Sequence, residues 1–245
     1  MKQLFLLGFS LFFTQNLLAQ TREDAPNFYR SAISSDFNAA TDGKNALLAL
    51  SAKQLFGIGA NRRFKIGYGL RINHNFGSKT TFLTAPAILT TGRTGPIVFF
   101  DGTKIGANID TLQSSSFTVT SINIPLYLEY AITNRLDVGF NIDLTGLSFG
   151  SAAYNYQSVH ATAANQGAVK GNATSPNLLL IGDNDLGSLS SELVVRYHLN
   201  NKLAFNAGLC FAFAEFTTDR KLYLDNDRFR EKQLMGMVGL SYRLH

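Results

Sequence analysis

The chain has 245 residues, of which 45% are hydrophobic and 16% are charged, and its formal net charge at pH 7 is +5. So small a charged fraction, against about 25% in an ordinary soluble domain, excludes a disordered chain. The mild positive charge does not by itself indicate a nucleic-acid partner, and the single cysteine, Cys210, excludes an intramolecular disulfide framework.

The first twenty residues predict a secretory signal peptide. Lys2 supplies a positive start, residues 4–13 are apolar, and a cleavage site near Ala19 or Gln20 precedes a charged segment. We expect an exported protein in which 1–20 are removed, 21–26 form a short periplasmic stub, and 27–245 form the folded domain. No later stretch reaches the roughly 18 apolar residues that a membrane-spanning helix needs.

The rest of the chain alternates apolar and polar residues with a period of two, which predicts β-strands. In the clearest segment, Phe64, Ile66 and Tyr68 alternate with Lys65, Gly67 and Gly69. The predicted strands are, in chain order, 27–37, 46–58, 64–76, 116–130, 136–150, 187–199, 203–216 and 232–244.

The connections between these strands alternate between short and long. Short connections lie at 59–63, 133–135 and 200–202, and long ones at 77–115, 151–186 and 217–231. Short turns at one end and long loops at the other are typical of outer-membrane β-barrels, whose short turns face the periplasm. If the chain enters from the periplasm, an upward strand must precede 46–58, so 27–37 is required and 38–45 becomes a fourth external loop.

We therefore predict an all-β fold, an antiparallel transmembrane β-barrel of about eight strands with short periplasmic turns and long extracellular loops. The alternative is a soluble β-sandwich or lipocalin-like barrel, in which the apolar faces point inward and the outside carries charges. The polar faces here are rich in glycine and small residues, which suits the inside of a narrow barrel.

Charged residues on the polar faces predict the state of the lumen. They are four acids and four bases, Glu129, Asp137, Asp143 and Glu192, with Lys65, Arg71, Arg196 and Arg243, and His198 lies beside them. An eight-stranded barrel is only wide enough for its own side chains, and an unpaired buried charge costs several kcal/mol. A balanced set therefore favours a lumen filled by ion pairs, and the alternative is a narrow passive pore lined by these charges.

The chain end resembles the C-terminal signal that barrels present to the outer-membrane assembly machinery, on Gly239, Tyr242 and Leu244. Residues 64–71, 124–130 and 239–244 resemble the outer-membrane β-barrel domain family of Gram-negative bacteria. The resemblance implies an outer-membrane location, with lipid and the assembly machinery as partners. It carries over no functional residues, because most members of that family have no assigned activity.

Two further chemistries are open to test. Some small barrels modify lipid A or phospholipid, and His74, on an outward face near the external end of its strand, is the candidate for such catalysis; the alternative is a polar residue at headgroup level. Two acidic triplets, with Asp183 and Asp185 in one and Asp225 and Asp227 in the other, offer oxygen ligands for Ca²⁺. Turn capping is the favoured alternative for both.

The function that these observations favour is a non-enzymatic scaffold. We expect a monomeric barrel that presents loops 77–115 and 151–186 to an extracellular ligand or partner protein, because loops carry specificity on a rigid scaffold. No cofactor motif and no nucleic-acid-binding pattern occurs in the sequence. A pore and a lipid-modifying enzyme remain the alternatives.

Overall fold

The computed structural model of the chain describes residues 29–94, 103–162, 166–180 and 184–244. The predicted signal peptide, the stub and the first two residues of the predicted first strand lie outside these ranges. The strands are β1 (Ser31–Thr41), β2 (Asn45–Ile58), β3 (Phe64–Thr84), β4 (Thr111–Ala131), β5 (Leu136–Tyr156), β6 (Gly167–Ala173), β7 (Asn177–Leu178), β8 (Leu189–His198), β9 (Leu203–Thr218) and β10 (Arg228–Arg243). A short helix, α1 (Ala87–Thr91), lies in the connection between β3 and β4.

Eight of these strands close into an antiparallel ring. Each of β1 to β5 pairs with its neighbour in sequence, β5 pairs with β8, and β8, β9 and β10 continue the ring. The ring closes where β10 pairs with β1, from Ser34 opposite Arg243 to Thr41 opposite Gly236. The predicted first strand is therefore confirmed, but it runs over Ser31–Thr41 rather than 27–37, and the predicted external loop 38–45 shrinks to 42–44. We call this ring the lower tier.

The two faces of the lower tier have opposite polarity. The outward positions of the strands form an exposed apolar belt, whereas the inward positions bury polar and charged side chains. The belt includes Ile33, Phe37, Leu48, Leu50, Ile66, Leu70, Ile72, Ile122, Ile124, Phe140, Leu193, Val195, Phe205, Leu209, Phe211, Val238 and Leu240. A soluble barrel would bury these residues instead, so the lower tier is a transmembrane β-barrel. Closure pairs its strand backbones within the sheet, as lipid requires.

A second, narrower ring stands on the external end of the lower tier. The hairpin of β1 and β2 ends at residues 42–44, where Gly43 has a φ of 89°. Above it, β10 pairs directly with β3, through Phe229 opposite Thr84. The ring then runs through β3, β4, β5, β6, β9 and back to β10. We call this six-stranded ring the upper tier.

The upper tier corrects the predicted loop boundaries. Residues 77–84 and 111–115, expected in the first long loop, belong to β3 and β4, and the actual connection is 85–110. The expected loop 151–186 contains the end of β5 and all of β6 and β7, and the expected loop 217–231 shrinks to 219–227. These segments were not predicted as strands because they lie outside the membrane. Water surrounds them there, so their apolar residues face inward and the lipid-facing pattern is lost.

One position of the barrel wall is shared by two strands. Between β5 and β9, β8 fills the wall in the lower tier and β6 fills it in the upper tier. Residues 174–188 connect them, with β7 paired to β5 at Thr145 and Gly146. In the part of the chain that the structure describes, no helix is long and apolar enough to cross a bilayer.

Candidate functional site

The lower-tier lumen is the first candidate site, because its inward positions carry most of the buried charges. At its external end, Arg71 from β3 is 1% exposed. Its guanidinium contacts Asp143 Oδ1 at 2.5 and 3.0 Å and lies 3.3 Å from a carboxylate oxygen of Glu192. The second oxygen of Asp143 accepts hydrogen bonds from Asn123 and from the backbone and hydroxyl of Ser190. This Arg71 cluster therefore ties β3, β4, β5 and β8 together across the lumen.

A second group of ion pairs fills the periplasmic half of the lumen. Lys53 Nζ lies 2.6 Å from Asp36 and 2.9 Å from Glu129, and Arg196 lies 2.8 Å from Glu129. Lys65 and His198 both contact Asp137, at 3.4 and 2.8 Å. We call these seven residues the Lys53 cluster.

Sequence reasoning missed two members of the Lys53 cluster, Asp36 and Lys53. The alternation of β1 and β2 is weak, so their inward faces were not identified. The signal that could have found them is charge itself, because a charged residue on a strand in lipid is expensive unless it points into the lumen.

Arg243, the eighth residue of the predicted network, does not lie within the Lys53 cluster. Its guanidinium stacks over the ring of Tyr29, 4.4 Å from the ring centroid, and Lys65 Nζ lies 4.5 Å from the same centroid. Arg243 is the last residue of β10, opposite Ser34, and it reaches the periplasmic mouth. There a small cleft that opens to solvent is lined by Tyr29, His198, Lys202 and Arg243, with carboxylates of the Lys53 cluster deeper inside it.

Part of the remaining wall of the lower-tier lumen is apolar. Met235 and Met237 from β10 pack with Cys210, Val194 and Leu47. Small inward residues, Ala40, Ala49 and Ala212, complete this group. The lumen thus contains buried ion pairs and amides together with a group of methionine and small side chains.

The upper-tier interior is a hydrophobic core. Phe82 is fully buried and makes edge-to-face contacts with Phe117, Tyr154 and Phe216, with ring centroids 5.3 to 5.5 Å apart. Leu222, from the connection between β9 and β10, packs against this cluster. Edge-to-face aromatic pairs add stability beyond their buried area. The described interior of the upper tier is therefore packed with side chains.

Buried polar contacts anchor the external connections to the upper tier. The hydroxyl of Tyr156 donates to Asp110 over 2.5 Å, which holds the end of the 85–110 connection. On the outer face, Glu215 is fully buried between Arg228 and Arg230, at 2.7 and 2.6 Å. Both arginines also donate to the carbonyl oxygen of Asp185, so residues 184–186 are held against the wall. Sequence reasoning had placed Glu215 on a strand and the arginines in a loop.

The other predicted site residues are dispersed. His74 is an exposed outward residue whose Nδ1 lies 2.9 Å from Thr120 Oγ1. Asp225 pairs with Lys221 at 2.7 Å, and the Asp185 side chain accepts a hydrogen bond from the backbone of Leu180. Asp183 lies outside the described residues, and within them no group of three or more His, Cys, Asp or Glu is arranged to hold a metal ion. Ca²⁺ binding stays an untested prediction.

The proposed assembly-signal residues lie at the end of β10. Gly239 faces the backbone of Phe37 and the side chain of Asn38 so closely that a Cβ would overlap them. Leu244 is exposed, and Tyr242 is half-buried. The glycine thus has a packing reason of its own, beside any role in recognition by the assembly machinery, which stays a prediction.

Comparisons with known proteins give structural likenesses alone, because no family model and no curated protein matches the chain. Neisserial surface protein A aligns with a TM-score of 0.38 and 8% identity, over 87% of this chain and 97% of that one. Ail of Yersinia pestis, in complex with the heparin analogue sucrose octasulfate, aligns at 0.35 and 10%, over 87% and 97%. A major outer membrane protein of Thermus thermophilus aligns at 0.37 and 13%, over 88% and 100%. The ring closure, apolar belt and polar interior of this chain are by themselves those of an outer-membrane type of β-barrel.

Proposed function

We propose that this protein is an outer-membrane barrel with a closed interior, whose upper tier is a surface for interaction outside the cell. The observation that carries the proposal is the presence of two fillings in series. The ion-pair clusters and the methionine group fill the lower tier, and the aromatic cluster around Phe82 fills the upper tier. A solute crossing the barrel would have to displace both.

The external surface supports the interactive part of the proposal. Val159, in the connection between β5 and β6, is 95% exposed, and Ile88, Ile105 and Leu224 are exposed on other connections. Connections held by a rigid scaffold are where binding residues are concentrated. The upper tier is such a scaffold, because its hydrophobic core fixes the strands that carry these connections.

Conductance in planar bilayers tests the closed interior. We expect no reproducible single-channel steps from the purified protein. A variant that removes part of each filling, Phe82→Ala and Phe216→Ala together with Arg71→Ala and Asp143→Ala, is the positive control if it still inserts. Conductance steps that the unmodified protein gives and a mock purification does not would contradict the closed interior and indicate a narrow pore instead.

Adhesion tests the surface role. Cells that display the protein should bind to other cells or to coated surfaces more strongly than cells that lack it. Val159→Asp together with Ile88→Asp should reduce this binding, because both place a charge on an apolar contact. The matched control is Leu70→Ala, a change on the membrane belt that leaves the external surface intact. Adhesion that does not depend on the protein would contradict the proposal.

A further inference from the structure

The periplasmic end of the barrel carries a ring of cations. Arg30 lies just before β1 and Arg243 ends β10, and the other members come from the three short turns: Arg62, Arg63, Arg135 and Lys202. All are exposed except Arg243, which is half-buried. The described residues at this end, 29–31, 59–63, 132–135, 199–202 and 242–244, contain no Asp or Glu. We call this set the periplasmic rim.

The external end has no such uniform charge. There, acidic and basic residues are interleaved, as in the Asp-Arg-Lys sequence of 219–221 and the Asp-Asn-Asp-Arg sequence of 225–228. Lys221 and Asp225 form an ion pair on this surface. Charge of a single sign is therefore a property of the periplasmic rim and not of the whole exposed surface.

The rim cations lie at the edge of the apolar belt. Arg63 immediately precedes the outward Phe64, and Lys202 lies three residues after the outward Leu199. A strand rises about 3.3 Å per residue, so the charged groups can reach the region just beyond the hydrocarbon. Outward tyrosines, Tyr130 and Tyr197, mark the same level, as tyrosine does at membrane interfaces. The rim thus lies at the depth of lipid headgroups.

The cleft at the lumen mouth extends this basic surface inward. Lys202 and Arg243 line its rim. The carboxylates deeper in the cleft are already paired, Glu129 with Lys53 and Arg196. A negatively charged group that approaches the mouth therefore meets cations first.

We propose that the periplasmic rim binds the headgroups of phospholipids that carry a net negative charge, in the periplasmic leaflet. Each short turn places a cation on the circumference of the barrel, where lipid surrounds it, and anionic headgroups attract basic residues next to a membrane. A partner protein would engage one side of the rim, whereas the cations are distributed around it. The proposal is independent of the function of the upper tier, so conductance or adhesion results do not decide it.

Lipid titration of the purified barrel tests the proposal. The protein in micelles of a neutral detergent is titrated with short-chain phosphatidylglycerol or phosphatidylcholine, and bound lipids are counted by native mass spectrometry. We expect phosphatidylglycerol to bind about tenfold more tightly than phosphatidylcholine, since several basic residues act together. High salt should remove this preference, because screening weakens attraction between exposed charges.

Two variants of equal charge locate the effect. The rim variant carries Arg62→Gln, Arg63→Gln, Arg135→Gln and Lys202→Gln, and the external variant carries Lys44→Gln, Lys104→Gln, Lys170→Gln and Lys221→Gln. The rim variant should lose the preference for phosphatidylglycerol, and the external variant should keep it. Circular dichroism checks that both variants are folded.

Three results would overturn the proposal. The first is equal binding of the two lipids by the unmodified protein. The second is an equal loss of preference in both variants, which would mean that net charge matters and not the rim. The third is sedimentation with peptidoglycan sacculi that depends on the rim, without any lipid preference, which would assign the rim to an anionic polymer.

Discussion

The two tiers are built largely from the same strands, yet the polarity of their inner and outer faces is reversed. In the lower part of β4, Ile122 and Ile124 face outward, while Ser121 and Asn123 face the lumen. In its upper part, Phe117 is buried inside and Thr118 faces out. The strand remains continuous across this change. The surroundings of each tier, lipid below and water above, decide whether the apolar residues of a strand face outward or inward.

The reversal also determines what each tier can tolerate. The lower tier has lipid outside, so its apolar residues are used on the belt and its interior is held by ion pairs. The upper tier has water outside, so its stability comes from a hydrophobic core like that of a soluble protein. The free energy of unfolding should therefore respond to charge changes in the lower lumen and to cavity formation in the upper core.

The largest effect is expected from breaking the Arg71 cluster. Arg71→Met leaves the buried Asp143 and Glu192 without their cation, and removing one partner of a buried ion pair costs about 3–5 kcal/mol. The measurement is urea unfolding in micelles, followed by circular dichroism because the chain contains no tryptophan. The lower tier should unfold at clearly lower urea concentration.

Two further variants give this measurement its meaning. Arg71→Met combined with Asp143→Asn removes the uncompensated charge of Asp143, so it should be more stable than Arg71→Met alone. Arg243→Gln, at the half-buried mouth, should cost less than about 1 kcal/mol. If the double variant were less stable than the single one, the cost would come from lost packing and not from the buried carboxylate.

The next effect is expected in the upper core. Phe82→Ala should remove about 3 kcal/mol from the stability of the upper tier, because a buried aromatic ring leaves a cavity. Hydrogen exchange should quicken at residues 80–84 and 111–117 and stay slow in β1 and β2. Leu83→Ala, at the exposed neighbour, is the matched control and should change exchange little. Equal acceleration in both tiers would show that they unfold as one unit.

Sequence reasoning identified the lower tier because apolar and polar residues alternate there without interruption. Between Phe64 and Ile72, each outward residue is apolar and each inward one is glycine or charged, and lipid imposes this rule along the whole segment. The short turns then fix the direction of each strand. Four acids and three of the predicted bases fall in the buried clusters for the same reason, since only the lumen accepts a charge at that depth.

The upper tier could not be identified in this way. Thr80, Phe82 and Thr84 all face inward, so the inward side of β3 changes from polar to mixed within one strand. The closure of six strands depends on where the hairpin of β1 and β2 ends. Asp42 and Gly43 mark that turn in the sequence, but the pairing of β3 with β10 above it joins residues about 145 positions apart. Such long-range pairing has no local signal.

Glu231 lies at the junction of the tiers and gives the smallest expected effect. It is an inward residue of β10 just above the hairpin turn, and the Asn45 amide donates to it over 3.3 Å and to Asp42 over 3.0 Å. Burial, together with the nearby charge of Asp42, raises the pKa of Glu231 to about 7. The folded protein therefore holds a proton on Glu231 at a pH where the unfolded chain has lost it.

The sign of the pH dependence follows from this difference. Below the unfolded pKa of 4.5, both states are protonated and the contribution of Glu231 is complete; as the pH rises towards 7, it is lost. Allowing for solvent screening, we expect the free energy of unfolding to fall by about 1–2 kcal/mol across this range. Glu231→Gln has no proton to lose, so its stability should fall less, and the difference between the two unfolding curves isolates this carboxyl from every other titrating group. Parallel curves would place Glu231 in contact with water, and the junction between the tiers would then be open to solvent.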